Sequence, residues 1–178
     1  MKTPTQSFKD ALQRLVREMS NLRSEHAAIA AHGEVRPAKS RFLFIAYTGL
    51  LNARQLRLVR VFEDSNKTAS FWYLHRCALK LIEKNLDIAR LREFSRKLKK
   101  IRNASFVHLD KEGAFDLSVY READIRPGDI LYAVDAVWPT VRDLYAEVFG
   151  EPPLKVDPSL DELIRLLKES LSDLIEHG

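Results

Sequence analysis

The sequence predicts an all-α protein, an up-and-down helical bundle, and three observations carry that prediction. No proline lies between Pro37 and Pro127, and no glycine lies between Gly49 and Gly113. Because these two residues interrupt helices most often, so long a span favours helices joined by polar turns. Apolar residues also recur at helical spacing along most of the chain. Finally, 178 residues with 46% hydrophobic composition are enough for one domain with a sizeable core.

Three helices are expected in the first half of the chain. The first covers residues 5–31 and is expected to end at Gly33 and Pro37, and the second covers residues 38–62. The polar turn EDSNKT separates the second helix from a third, which covers residues 68–84. The apolar positions expected to face the core are Leu12, Leu15, Met19 and Leu22, then Phe42, Ile45, Leu51, Leu58 and Phe62, then Phe71, Leu74, Ala78 and Leu81.

Two further helices and a connection are expected in the second half. A fourth helix begins after Asp87, which is placed to cap it, and ends before Gly113. Residues 114–127 alternate in part between apolar and polar side chains, which predicts an extended connection or a small hairpin arm. A fifth helix is expected from Asp129, with a kink at Pro139, because proline lacks the N–H of the helical ladder.

The last helix has the clearest boundary signals. Asp157 is expected at its N-cap and Pro158 at its first position, with acidic residues in the first turn. Its apolar stripe must pack either on its own bundle or on a second copy, and consists of Leu160, Leu163, Leu167, Leu171 and Leu174. The chain is therefore divided into a helical domain of residues 1–150 and a linker with an additional C-terminal amphipathic helix, residues 151–178.

Charge and composition limit the partners and the location. Twenty-nine Lys and Arg against 25 Asp and Glu give a formal charge of +4, a mild basic excess that suits an anionic partner. No apolar run is long enough to span a bilayer, and the first residues lack the apolar region of a secretory signal. We therefore expect a soluble cytoplasmic protein with no membrane contact. The single cysteine, Cys77, is expected to be a buried apolar residue.

Several chemistries find no support in the sequence. It contains no glycine-rich nucleotide-binding motif, and its five histidines do not have metal-ligand spacing. We therefore expect no metal site and no cofactor. The adjacent carboxylates Glu63 and Asp64 are expected to lie in a solvated turn.

The stretch IRNASFVHLDKEG, residues 101–113, is the strongest candidate for a functional site. His108 lies seven residues after Ile101, so a helix places it on the apolar stripe, where a histidine is most simply a buried, inert residue. Arg102 lies six residues before His108, about 120° away around the same helix. A site that uses both needs a distorted turn or a partner surface that closes over them.

The residues before this stretch are basic, in the run SRKLKKIRN. Such a run is most often a solvated helix face, but here it adjoins the histidine of interest. We expect Arg96, Lys99 and Lys100 to bind backbone phosphates, with an affinity that falls as salt rises.

Arg102, Asn103 and His108 resemble a known family motif. The sequence RNASFVH matches the R-x4-6-H pattern of HEPN proteins, with five intervening residues and asparagine in the polar position. The continuation HLDKEG and the upstream segment AYTGLLNARQLRLVRVFEDSNKTASFWYLHR are similar to the abortive-infection U-type (AbiU2-like) branch of that family. The resemblance covers residues 5–150. In another branch a modified tyrosine lies two positions after the histidine, where this chain has Asp110.

The resemblance implies a homodimer whose two motifs face each other and cleave RNA without a metal. Such proteins serve in toxin–antitoxin or phage-defence (abortive infection) systems, with an antitoxin or companion protein as a possible partner. His108 suits a proton shuttle near neutral pH, and Arg102 suits a permanent cation on the phosphoryl oxygens. Asn103 is expected to orient His108 or to bind a phosphate oxygen, while Asn52 and Asp110 are expected as outer partners.

The alternative is a non-catalytic HEPN or helical module that binds RNA or a protein partner, as a sensor or scaffold. Burial of His108 against Phe94 and Leu98 in both monomer and dimer would favour this alternative.

Overall fold

The computed structural model describes residues 4–35, 41–64, 68–78, 86–108, 123–154 and 156–177. For residues 34, 35, 42, 103–108, 174, 176 and 177 the description covers the backbone alone. Every regular element within these ranges is a helix, which confirms the predicted all-α bundle. The elements are α1 (Gln6–Val35), α2 (Arg41–Phe62), α3 (Phe71–Cys77), α4 (Ile88–His108), α5 (Pro127–Leu131), a π-helical turn (Tyr132–Ala136), α6 (Val137–Phe149) and α7 (Leu160–His177).

Helix α1 is the centre of the bundle. It contacts α2, α3, α6 and α7, so the core forms around its apolar face. The predicted stripe of this helix is confirmed, because Leu12, Leu15, Met19 and Leu22 are all fully buried. Each such side chain contributes about 1.5–3 kcal/mol by leaving water. No helix within the described ranges has the length and apolar character needed to cross a membrane.

Helix α1 does not end at Gly33, contrary to the prediction, but continues to Val35. A glycine inside a helix costs only about 1 kcal/mol relative to alanine, and packing offsets that here. Ala31 is buried, and the His32 ring stacks on Tyr47 of α2 with centroids 4.3 Å apart. Pro37 lies outside the described residues.

Helix α2 matches the predicted span over its described length, whereas α3 is shorter than predicted. The α3 helix ends at Cys77, since Ala78 has left the helical conformation, and residues 79–85 lie outside the described part of the chain. Cys77 is exposed, so its predicted burial is wrong, because α3 buries the face that carries Phe71, Leu74 and His75. Ile45 of α2 is 60% exposed and does not face the core either.

Helix α4 begins as predicted. The Asp87 Oδ1 atom accepts a hydrogen bond of 2.9 Å from the Arg90 backbone N–H, which confirms the N-cap. The backbone then remains helical to His108, while Gly113 and the predicted extended connection up to residue 122 lie outside the described residues. The side chains that α4 buries in the core are Leu91, Phe94, Leu98 and Ile101.

The fifth predicted helix starts at Pro127 rather than at Asp129. Proline suits the first position of a helix, and the Asp129 carboxylate accepts a hydrogen bond of 3.3 Å from the Arg126 backbone N–H. A π-helical turn over Tyr132–Ala136 then separates α5 from α6. It includes Asp135, whose carbonyl cannot accept the usual helical hydrogen bond from Pro139 four residues later, because proline has no N–H. The irregularity expected from Pro139 is thus a wider turn just before it.

The N-cap predicted for the last helix is wrong. Helix α7 begins at Leu160, and its first turn is capped by Ser159, whose Oγ accepts a hydrogen bond of 3.2 Å from the Glu162 backbone N–H. The apolar side chains of α7, Leu160, Leu163, Ile164 and Leu167, pack on the core of the same chain, where α1 is the main contact.

Asp157 serves a different purpose from the predicted cap. Its carboxylate accepts hydrogen bonds from Arg23 Nη1 at 2.9 Å, Trp138 Nε1 at 2.9 Å and Arg142 Nη1 at 3.1 Å. Arg23 is itself buried and also donates to the Pro158 carbonyl at 2.9 Å. The linker before α7 is therefore tied to α1 and α6 by a charge cluster that excludes most water.

Helices α1 and α2 share a second polar contact. Arg57 of α2 donates to both carboxylate oxygens of Glu25 at 3.0 Å and also pairs with Glu18. Nearby, burial and then the positive charge of Arg54 lower the pKa of His26 to about 4. His26 is therefore neutral in the folded protein at neutral pH.

Replacing Asp157 with Asn should lower the free energy of unfolding by about 3 kcal/mol, because the buried Arg23 loses its counter-charge. Urea denaturation at pH 7 measures this. The control is Asp161→Asn in the exposed first turn of α7, expected to change stability by less than about 0.5 kcal/mol. Equal effects of the two substitutions would contradict the role given to Asp157.

The free energy of unfolding should fall as the pH drops from about 6.5, the ordinary pKa of a histidine, to about 4, the pKa of His26 in the folded protein. The unfolded chain takes up the proton first, since the folded pKa is the lower one. Allowing for partial exposure, the loss attributable to His26 is about 1–2 kcal/mol. Urea titrations across this pH range should show this loss of stability in the wild type and not in His26→Gln. Parallel plots of unfolding free energy against pH for the two proteins would disprove the role of His26.

Candidate functional site, a cationic cleft

A cleft of about 420 Å³ lies where the end of α2 meets α3 and α4. Its apolar walls are Val59, Phe62, Trp72 and Leu98, and its polar lining is Glu63, Asp64, Arg92, Ser95, Arg96, Lys99 and Arg102. Three of the residues singled out from the sequence, Arg96, Lys99 and Arg102, therefore share one cavity. Its volume is within the usual range of about 300–1,000 Å³ for ligand sites.

Helical periodicity explains why the cations share one side of α4. Arg92, Arg96, Lys99 and Arg102 are separated by four, three and three residues, so they fall within an arc of about 120°. They extend along about 15 Å of helix axis. The opposite side of α4 carries the buried residues Phe94 and Ile101, about 140° and 160° around the helix from the centre of the cation row. One helix thus presents an apolar face to the core and a row of cations to the cleft.

Trp72 fixes the position of α4 against the end of α2. Its buried indole N–H donates to the Phe62 carbonyl at 3.0 Å and to Ser95 Oγ at 2.8 Å. Ser95 Oγ in turn donates to the Leu91 carbonyl at 2.9 Å within α4. The Arg92 guanidinium lies over the Trp72 ring, 5.1 Å from the ring centroid, which holds that cation at the cleft.

The motif arginine is paired across the cleft. Arg102 of α4 forms a close ion pair with Glu63, the first residue after α2. Both side chains are partly buried, at 32% and 27% exposure. Glu63 was expected to be a solvated turn residue, and that expectation is wrong because the packing of α2 against α4 brings its carboxylate to Arg102.

Two other ion pairs border the cleft. Arg96 makes two hydrogen bonds to Glu93 at 2.8 and 2.6 Å, and the bonding to Arg96 lowers the pKa of the Glu93 carboxyl. Asp64 pairs with Arg76 at 2.7 Å. Of the described residues that line the cleft, four are cations and two are carboxylates, a net charge of +2. Such a surface attracts anions, phosphates above all.

The other residues predicted for the site are more dispersed. Lys100 is exposed on α4 but does not line the cleft, and Asn52 is exposed on α2, about 16 Å along the helix axis from Glu63. Asn103 and His108 lie on the helical backbone of α4, but their side chains are outside the described part of the structure, as is the whole of Asp110.

Three residues of the cleft were missed from the sequence, namely Arg92, Trp72 and Glu63. Arg92 carried a usable signal, since it precedes Arg96 by one helical turn and extends the basic row. Trp72 lies on α3 and Glu63 follows α2, and no local pattern links them to α4. Among the residues the structure describes, no cluster of three or more His, Cys, Asp or Glu is arranged to hold a metal.

Replacing Trp72 with Phe should lower the free energy of unfolding by about 2 kcal/mol, since the Phe62 carbonyl and Ser95 lose their donor. It should also weaken binding of tripolyphosphate several-fold, because α4 is no longer fixed at the cleft. The matched control is Trp138→Phe, which removes a buried indole N–H at Asp157, away from the cleft. Calorimetry that finds equal binding losses for both variants would contradict the assignment.

Comparison with known proteins adds no further assignment. No protein-family model, no curated protein and no solved structure matches this chain.

Proposed function

We propose that this chain is a metal-independent endoribonuclease of the HEPN kind, which acts in a toxin–antitoxin or phage-defence system. Arg102 and His108 are its reacting residues, and the active site is completed at a homodimer interface. The sequence RNASFVH supports the motif, and its position on an α4 helix within an all-α bundle is the context that such a motif requires.

The position of Arg102 at the end of a row of cations carries the proposal. Arg92, Arg96 and Lys99 precede it along the same cleft, so a chain of phosphates bound to them leads to the motif arginine. Binding through phosphates is independent of base sequence and falls steeply with salt. An isolated arginine on a helix surface would give no such path.

The chemistry follows from the residue types. The 2′-OH of a ribose attacks the adjacent phosphorus, which forms the O2′–P bond and breaks the P–O5′ bond. His108 accepts the 2′-OH proton and returns a proton to the departing 5′ oxygen. Arg102 binds the phosphoryl oxygens, on which negative charge builds up in the transition state. The products are a 2′,3′-cyclic phosphate and a 5′-hydroxyl, and no metal takes part.

The shape of α4 supports a dimeric site. Arg102 and His108 are about 120° apart on a straight helix, so the two side chains need either a distorted turn or a second subunit. The backbone of α4 is helical from Ile88 to His108, so the second subunit is the arrangement that we propose. A two-fold axis that brings two motifs together lets one protomer's arginine act with its partner's histidine.

His108→Ala and Arg102→Ala should each slow RNA cleavage at least about 100-fold, while EDTA leaves the wild-type rate unchanged. Gel analysis of a labelled RNA measures this. Lys100→Ala is the control, since it removes a cation from the same helix without altering the cleft lining, and should slow cleavage only a few-fold. Cleavage that depends on a metal, or survives both motif substitutions, would overturn the proposal.

The non-catalytic alternative has one supporting observation. Arg102 already has a partner in Glu63, and an arginine used to join two helices need not take part in a reaction. A module of that kind, serving as a sensor or scaffold beside an effector or antitoxin, would bind RNA through Arg96 and Lys99 without cleaving it. RNA binding with no cleavage under any condition of the assay above selects this alternative.

A further inference from the structure

The Arg102–Glu63 pair lies in the wall of the cleft at the position where a phosphate would have to bind. The Glu63 carboxylate contacts the Arg102 guanidinium at Nη1. A phosphate that binds through that same N–H group must displace the carboxylate, and one that binds elsewhere on the guanidinium still meets its negative charge. The two anions compete for the same cation.

We propose that Glu63 is an internal competitor for the substrate phosphate and sets the affinity and selectivity of the cleft. The inference rests on the proposed function, because it takes a phosphodiester chain as the ligand. In the free protein Arg102 is held by Glu63, and binding exchanges that carboxylate for a phosphate oxygen.

Selectivity follows from the competition. A single phosphate gains one contact at Arg102 and meets the negative charge of Glu63 and of Asp64 beside it. A chain of phosphates also reaches Arg92, Arg96 and Lys99, and those contacts offset the loss of the internal pair. The cleft then favours polyphosphate backbones over single anions, and its apparent Kd is the intrinsic Kd divided by the fraction of the protein in which Glu63 is not paired with Arg102.

A purely structural role is the simplest rival, and the packing argues against it. Helices α2 and α4 are already joined by the Trp72 hydrogen bonds to Phe62 and Ser95. The Phe62 ring also meets Phe94 edge to face, with centroids 5.6 Å apart. Because these buried contacts fix the two helices, the partly exposed ion pair is not needed to hold them.

The test measures binding of a 2′-O-methyl RNA, which lacks the attacking hydroxyl, by fluorescence anisotropy. Glu63→Gln should lower its Kd about threefold to tenfold, because the carboxylate no longer pairs with Arg102 and a repelling charge is removed. Asp64→Asn is the matched control. It removes the same charge from the same cleft, but its ion-pair partner is Arg76, which does not line the cleft, so it should lower the Kd less than about twofold.

A double-mutant cycle separates competition from simple repulsion. In an Arg102→Ala background Glu63→Gln should change the Kd less than about twofold, because no pair remains to be broken. An equal increase in affinity in both backgrounds, or weaker binding by Glu63→Gln, overturns the inference. Glu63→Asp, which keeps the charge on a side chain one methylene shorter, is a second variant of the same position. If neither Glu63 variant folds as the wild type does, Glu63 is a structural residue and the inference is wrong.

Failure of the ribonuclease proposal gives a different result. Tripolyphosphate carries the phosphate oxygens without ribose, and its Kd is measured by calorimetry for the same variants. In one outcome Glu63→Gln binds tripolyphosphate more tightly than the wild type, while the wild type neither binds nor cleaves RNA. That result supports Glu63 as a competitor and contradicts the ribonuclease proposal. Cleavage of RNA by the wild type, with no tighter binding of either probe by Glu63→Gln, supports the ribonuclease proposal and contradicts the competitor.

Discussion

The hydrogen bonds of the Trp72 indole are the constraint on which the cleft depends. One buried N–H donates hydrogen bonds to the last carbonyl of α2 and to the Ser95 hydroxyl of α4, so the two helices are held in one relative position. Around it, Phe62, Phe71 and Phe94 form ring contacts that bury the Trp72 side chain. The cleft is the space left beside this contact, and the cations of α4 and the carboxylates after α2 face each other because of it.

A second polar contact governs the other end of the fold. Asp157 satisfies two arginines and an indole, and it thereby joins the linker before α7 to α1 and α6. Both contacts follow the same rule. A polar group that is buried must find its partners there, and the elements that carry those partners are then fixed relative to one another. Apolar packing fills the bundle, while these two contacts specify its register.

The cleft unites features that suit the proposed action on a phosphate chain. Its cations are aligned by the helix, apolar side chains form part of its walls, and the motif arginine is paired with Glu63, which we propose that a ligand displaces. An arginine left unpaired in a cation-lined cleft would bind any cellular anion. For the function that we propose, which requires action on RNA and little binding of other anions, a carboxylate that raises the threshold for binding is a useful property.

The sequence by itself determined the features that depend on helical periodicity. It predicted the all-α class, the buried stripe of α1 and the cap at Asp87, and it singled out Arg96, Lys99 and Arg102 on one helix, because each depends on residues within a few turns of one another. Tertiary packing alone decided the rest. It paired Glu63 with Arg102 across 39 positions, used Asp157 as an acceptor for Arg23 across 134 rather than as a cap, and left Cys77 and Ile45 exposed. Such contacts are set by how helices meet, and no local pattern carries that information.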